Sequence, residues 1–453
     1  MKILIVETVW MGKAKYGLLD KTLLTIFSIL PTLYARELAA ITPKHHEVFL
    51  VNERYDAIDF NASYDLVHIN FTTSTAPRAY AIADTFRKKG TIVVLSGLHA
   101  SALPNEAKQH ADSVIIGRGE RSWLVVLDDI EHHRTLQPIY QHIQYDDSMV
   151  IPPTSIRLPG FVITGAIEAT RGCPFQCGFC PEANIPGGNQ YYRRPVDEVI
   201  SEIRSLPQKT FMFYDASLTI DSEYTKTLFK KMIGLGKHFF CNGNADVLAQ
   251  DIELVDLSKK AGCVSCLVGF ESLSQQTIDA IGKKTNDVDQ YAQAVRNIHK
   301  NKMAVIGCFM FGFDTDTKNV FKDTLKAIKD LEIDVADFCI VTPFPGTPLF
   351  EKLQQEHRIL TTDWEKYSMK NVVFTPKQMS VEELLNGVRL MYAEYYSPGY
   401  TMKRIVCGLS KGLYPFLLVV ARNMVATMNS RRLFENKQKN NQKKRSTLIS
   451  SLT

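Results

Sequence analysis

Cysteine is scarce in this chain: nine residues in 453, an odd number. That is too few for a disulfide framework and leaves at least one thiol unpaired, so a reducing, cytoplasmic compartment is expected. Long apolar runs are also missing. A bilayer-spanning helix needs roughly 18 or more uncharged residues. The two best stretches fall short: Thr22 to Ala35 is interrupted by Pro31, and Gly412 to Ala421 is bounded by Lys411 and Arg422. The start carries no signal-peptide pattern, because Met1 leads straight into the strand-like run Lys2-Ile3-Leu4-Ile5-Val6. No repeat of solenoid period is present. Charge of one sign is missing from the body of the chain. Lys+Arg number 53 and Asp+Glu 48, a net +5. Seven Lys/Arg against Glu435 put +6 on the segment from Arg431 onwards. The rest is near neutral, which excludes a basic nucleic-acid binder. A 45% apolar and 22% charged mix excludes disorder as the main state.

What is there alternates. Short β-branched runs at Lys2–Val6, Val48–Val51, Leu66–Asn70, Thr91–Leu95 and Val114–Ile116 read as strands. Between the third and fourth, Pro77–Lys89 has the apolar spacing of a crossover helix. Strands joined by crossovers predict a parallel, doubly wound, Rossmann-like α/β sheet over residues 1–150, with ligands beyond the strands' carboxyl ends. The loops to watch are Glu7–Gly17, Asn70–Pro77, Ser96–Pro104 and Gly117–Glu120. A proline-bearing linker, Gln144–Gly160, follows. A second alternating block offers strands at Ile163–Ala169, Phe211–Tyr214, Phe239–Asn242, Cys266–Phe270, Ala304–Met310 and Asp337–Val341. Six βα units over 151–350 make a partial (β/α)6 barrel, short of the eight needed for closure. Residues 351–430 turn helical, with a capping box at Ser380-Val381-Glu382-Glu383 and an apolar stripe from Val381 to Tyr395 that reads as core. Residues 431–453 form a basic tail.

The strongest chemical signal follows the first strand of the second block: Cys173, Cys177 and Cys180, spaced C-x3-C-x2-C. Three thiolates so close can converge on one Fe–S cluster. With no fourth ligand nearby, one iron of a [4Fe–4S] cube would stay open for chemistry. A zinc knuckle would need another ligand at short spacing, and the next histidine is His238. Cys263 and Cys266 could suggest a metal or redox pair, but Cys266 opens an apolar strand, so core packing is the expectation.

This loop, with Phe179 before the last cysteine, resembles the radical S-adenosylmethionine (SAM) enzymes. The resemblance implies that Cys173, Cys177 and Cys180 hold a [4Fe–4S] cluster whose open iron chelates SAM, cleaved by one electron to a 5′-deoxyadenosyl radical. It further implies SAM contacts from Phe179, Asp215, Glu271 and the Gly312 backbone. An Arg common after the third strand of such barrels is replaced by the stretch around Asn244.

Residues Asn70–Tyr80, Ser96–Ala100 and Ala111–Glu120 resemble the cobalamin (B12)-binding domain that precedes the barrel in one large subfamily. The resemblance places Thr73, Thr75, Gly97, His99, Gly117 and Glu120 against cobalamin. An Asp-x-His-x-x-Gly motif is absent, so the protein is not expected to supply a cobalt-ligating histidine. The implied activity is methyl transfer to an unactivated carbon through methylcobalamin. The alternatives are radical cyclisation or oxidative rearrangement with the same cofactors, or radical SAM catalysis without cobalamin. The implied partners are a small-molecule substrate, lipid-like in one reading, and an external electron donor of flavodoxin or ferredoxin type. For the apolar, lysine-dotted stretch Met402 to Met428, packing as core or lid stands beside peripheral contact with a membrane.

Overall fold

The computed structural model describes residues 1–8, 33–53, 56–142 and 165–427. Most of the loop after the first strand, the stretch from Thr22 to Thr32, the linker and the basic tail lie outside the described residues.

Two six-stranded parallel sheets organise the molecule. The first contains β1 (Lys2–Glu7), β2 (Glu47–Asn52), β3 (Leu66–Asn70), β4 (Ile92–Ser96), β5 (Ser113–Ile116) and β6 (Ile139–Gln141), in the order β2-β1-β3-β4-β5-β6. Five of these match the expected runs to within a residue. β6 is an addition, three residues long, and carries too little pattern to be read from sequence. Helices α1 (Tyr34–Ile41), α2 (Ala76–Arg87) and α3 (Glu120–Glu131) cover the two faces. The alternation of β1 shows how: Leu4 and Val6 join a cluster with Ala79 and Ala83 of α2, while Ile3 and Ile5 join Leu38 of α1 and Trp123 of α3. A strand buried on both sides needs this unbroken apolar run.

The second sheet contains β7 (Gly165–Ile167), then, after the small antiparallel ribbon β8 (Thr170–Arg171) and β9 (Tyr192–Arg193), the strands β10 (Thr210–Phe213), β11 (His238–Asn242), β12 (Cys263–Glu271), β13 (Ala304–Phe311) and β14 (Val335–Ile340). All six expected strands are present. They stand in strict chain order, β7 to β14, and these two end strands do not pair, so the barrel is open. Its outer face is one large apolar cluster against the surrounding helices, among them α4 (Val196–Ser205), α5 (Tyr291–Lys300) and α6 (Val320–Asp330). Cys241, Cys263 and Cys266 are buried in this cluster, as expected for core thiols.

The C-terminal region closes one edge. α7 (Val381–Tyr395) begins at the expected capping box: Glu383 N–H donates to Ser380 Oγ at 3.2 Å, and Ser380 N–H to the Glu383 carboxylate at 2.8 Å. Its buried stripe, Leu384, Val388, Met391 and Tyr395, is core. Beyond packing, aromatic hydroxyls at its end serve the edge strand β14. Phe338 N–H donates to Tyr392 Oη, Ala336 N–H donates to Tyr396 Oη, and Tyr396 O–H donates to the Ala336 carbonyl. α8 (Pro398–Leu409) and α9 (413–427) follow. Tyr414 and Leu418 of α9 meet Met212, Phe240 and Val264, a small apolar group on the barrel strands. Among the described residues no helix is long and apolar enough to cross a membrane.

Candidate active site

The carboxyl ends of the two sheets meet. Gly117, just past β5, has φ +77°, and an added Cβ would lie 2.9 Å from the Pro186 carbonyl, beyond the cysteine loop. Beside it Arg118 donates to Glu168 and Glu182, both at 2.8 Å. Arg171, 3% exposed, donates to Glu168 at 2.7 Å, to Glu120 at 2.8 Å and to Glu37 at 3.0 Å. Three buried carboxylates thus surround these two guanidinium groups. Burial raises the Glu37 carboxyl to about 8 although Arg171 opposes it. For Glu168 burial also raises the pKa, but Arg118 and Arg171 more than offset it and hold the group below the usual carboxylate range.

The cysteine loop begins after β8. Cys173 N–H donates to the Gly188 carbonyl at 2.9 Å, and Asn184 Nδ2 donates to the carbonyls of Cys177 and Cys180 at 3.0 and 2.7 Å. Burial raises all three thiols, Cys177 to about 11. The Cys177 thiol is raised further by Cys180 and Cys173 and lowered by Lys283, so the three sulfurs sense one another. Backbone N–H groups of Phe175 and of Glu182 and Ala183 favour the thiolates of Cys173 and Cys180. Soft donors desolvated together, with amides aimed at sulfur, fit an iron–sulfur cluster, whose irons supply the positive charge the thiolates require.

Around this loop the expected SAM residues divide. Glu271 ends β12 in a left-handed conformation, φ +59°, and pairs with Lys283 at 2.5 Å, close enough to Cys177 for both to shift its thiol. Sequence reading missed Lys283, because Gly282-Lys283-Lys284 resembles any basic turn. Phe179 stands edge-to-face with Phe313, ring centroids 6.4 Å apart, at the turn after β13. Gly312 opens that turn with φ +109°, and its N–H donates to Asp316 at 2.8 Å. Asp215 is committed to the protein: its carboxylate accepts from Thr170 N–H and Oγ1 at 2.5 Å and from Ala169 N–H at 3.1 Å. Burial raises it to about 7 against those donors. Asp314 forms ion pairs with Arg358, Lys352 and Lys377. Asn244 precedes a short helix, its N–H bonded to Thr219.

The residues expected against cobalamin have partners within the chain. Thr75 Oγ1 accepts from Thr8 at 2.9 Å and from Thr72 N–H at 3.1 Å, and Thr73 beside it is 4% exposed. At Gly97, φ +111°, an added Cβ would lie 2.2 Å from the Phe71 carbonyl. Backbone crowding therefore requires glycine there, as at Gly117. His99 is fully buried, with Nε2 3.2 Å from Glu106, which also accepts from Tyr80 and from Trp364 of the C-terminal region. Glu120 is held by Arg171. At the carboxyl ends of the first sheet's strands, Thr8 Oγ1 donates to Thr75 and Asn70 Nδ2 to Ser96.

A family model described as the radical SAM superfamily matches residues 167–328, and one described as a domain of unknown function (DUF4070) matches 347–415. The chain is similar to bacteriochlorophyllide d C-12(1)-methyltransferase of Chlorobaculum tepidum, 32% identical over 81% of this chain and 83% of that protein. It belongs to the cobalamin-binding-domain-containing radical SAM enzymes. Another member similar to it is the anaerobic magnesium-protoporphyrin IX monomethyl ester cyclase of Cereibacter sphaeroides, 25% identical over 72% of this chain and 59% of that protein. The fold is that of TsrM, a radical SAM methyltransferase from Kitasatospora setae solved with cobalamin and a [4Fe–4S] cluster, with a TM-score of 0.69 at 15% identity over 95% of this chain and all of that one. As a member of this family the chain is a radical SAM enzyme, with a [4Fe–4S] cluster and SAM as cofactors.

Proposed function

We propose that the chain methylates an unactivated carbon of a hydrophobic small molecule. The observation that carries this reading is the similarity of the chain, over most of its length, to a bacteriochlorophyllide methyltransferase; Cys173, Cys177 and Cys180, on one loop just past β8, between the first two strands of the open six-stranded barrel in chain order, support it. When bound, the cofactors supply hydrogen abstraction and the methyl group. The protein's residues do the rest. The three thiolates hold the cluster, with Asn184 fixing the loop that carries them. Glu271, aimed by Lys283, and Phe179, braced by Phe313, position SAM beside it. The Gly312 turn, fixed by Asp316, would offer its backbone to the adenine. Thr73, Thr75, Gly97, His99, Gly117 and Glu120 shape the first sheet's carboxyl edge, which receives cobalamin through backbone and hydroxyl groups. The network of half-buried Arg118 and buried Arg171 keeps that edge against the barrel mouth and excludes water. An external electron donor of flavodoxin or ferredoxin type and peripheral contact of the C-terminal region with a membrane complete the partners.

Anaerobic reconstitution with iron, sulfide and hydroxocobalamin, followed by SAM and reductant, tests the reading. Production of 5′-deoxyadenosine and a mass gain of one methyl on the substrate are expected. Zinc in place of iron, or turnover that survives alanine at all three cysteines, would overturn it. The similarity to a cyclase favours one second reading, cyclisation or oxidative rearrangement at the same site. It predicts 5′-deoxyadenosine with no methyl gain.

A further inference from the structure

At the end of the barrel opposite the cysteine loop, the C-terminal helices present an unusual surface. α8 exposes Met402, Val406 and Leu409, and α9 exposes Leu413, Leu417 and Met424, spaced three, four or seven apart. Scattered exposed apolar residues are ordinary. Here six of the thirteen large exposed apolar side chains among the described residues fall on two consecutive helices. The helices are held firmly. Gly408 faces Phe416 and Val419, and Arg404, buried, donates to Asn423 of α9 and to the Tyr395 carbonyl. The inner faces are therefore spent, and the outer apolar stripe is a fixed feature.

Beside the stripe lies a cavity of about 450 Å³ between α8 and the loops leading into β13 and β14. Lys300, Lys302, Lys329, Lys403 and Lys411 line it. Lys411 pairs with Asp334, and His299 Nε2 lies 2.9 Å from it. Lys329 sits over the Tyr400 ring. Lys300, Lys302 and Lys403 have no ion pair among the described residues, and Glu332 is the one other acid on the wall. The chain then continues into a segment with seven Lys/Arg and one acid. A second copy of this face would bring like charge against like charge. An anionic bilayer surface offers both an apolar layer for the stripe and phosphates for the lysines.

We infer that α8 and α9 lie in the interface of an anionic membrane, with the lysine cavity taking lipid phosphate groups. The inference deepens the membrane contact proposed above and makes it specific: the stripe inserts, the lysines select the lipid, and the barrel mouth faces away from the bilayer.

Flotation of the full chain with vesicles rich in phosphatidylglycerol, compared with pure phosphatidylcholine, tests it. Preferential partitioning into the anionic vesicles is expected. Met402→Ser with Val406→Ser and Leu409→Ser should lower it at least tenfold, and Lys300→Glu with Lys302→Glu and Lys403→Glu by about fivefold per lysine. Thermal melting checks that both variants fold; their altered side chains are exposed or on the cavity wall. No partitioning, equal partitioning into both vesicle types, or a dimer in sedimentation that the serine variant dissolves would each overturn the inference. 5′-Deoxyadenosine formation in detergent-free solution should be unchanged in both variants, whereas its absence already in the unaltered chain would count against the catalytic reading and not against the membrane contact, so the two failures stay separate.

Discussion

The two sheets use the same ingredients, six parallel strands with helical crossovers, and differ in what their faces do. The first is dry on both sides: Leu4 and Val6 enter one apolar cluster, Ile3 and Ile5 the other. The second is dry only outside. Its inner side has a small apolar group at the lower end and, above it, Glu271, Lys283, Cys308 and Cys339. Burial pushes both of those thiols up, with Asp337 adding to the effect, and Glu271 keeps the half-buried Lys283 ammonium charged. A flat sheet between two helix layers leaves no interior, whereas an open, curled one keeps a polar lumen in which cofactors can be held. The first sheet can meet a ligand only at its rim, and the rim is where the two halves touch.

That contrast can be broken most forcefully at the junction. Arg171→Met leaves Glu37, Glu120 and Glu168 buried without their shared cation and should cost about 3–5 kcal/mol, read as a lower urea midpoint. Within the first sheet, Leu4→Ala and Ile5→Ala should each cost about 2–5 kcal/mol, and nearly the same as each other, because both faces are core; a twofold difference would show that one face is not. On the barrel's inner side the cost should move from stability to turnover. Glu271→Gln is expected to lower 5′-deoxyadenosine formation by about a hundredfold, some 2.7 kcal/mol in barrier, with the melting temperature nearly unchanged and the cluster's absorbance intact.

The gentlest test uses pH. Glu37 is raised in the folded protein from an ordinary 4.5 to about 8. Its contribution is therefore fully present below about 4.5 and is lost progressively as pH rises through about 8. Asp215, raised to about 7, acts in the same direction. Melting temperature should fall across this window, and Glu37→Gln, which stays neutral, should flatten part of the fall.

The strands were legible because a run buried on both faces is apolar throughout, and the cysteine loop because three ligands lie within eight residues. The directions of polar side chains were not, since their partners come from far along the chain. Asp215 sits at the expected strand end, but the Thr170 amide 45 residues earlier occupies it. His99 is turned inward to Glu106, itself bonded to Trp364, and Glu120 is taken up by Arg171. Gly97 and Gly117 both take positive φ, and the atoms that would crowd a side chain there are the carbonyls of Phe71 and Pro186. Lys283 had no local signature because its meaning comes from Glu271 and Cys177, which only the fold brings near it.

The phenol groups along β14 have one more effect. An edge strand with free amides and carbonyls is an invitation to a seventh neighbour, from this chain or another. Tyr392 and Tyr396 answer that invitation at Ala336 and Phe338. The edge beside the gap between the first and last staves is thereby barred to stray strands.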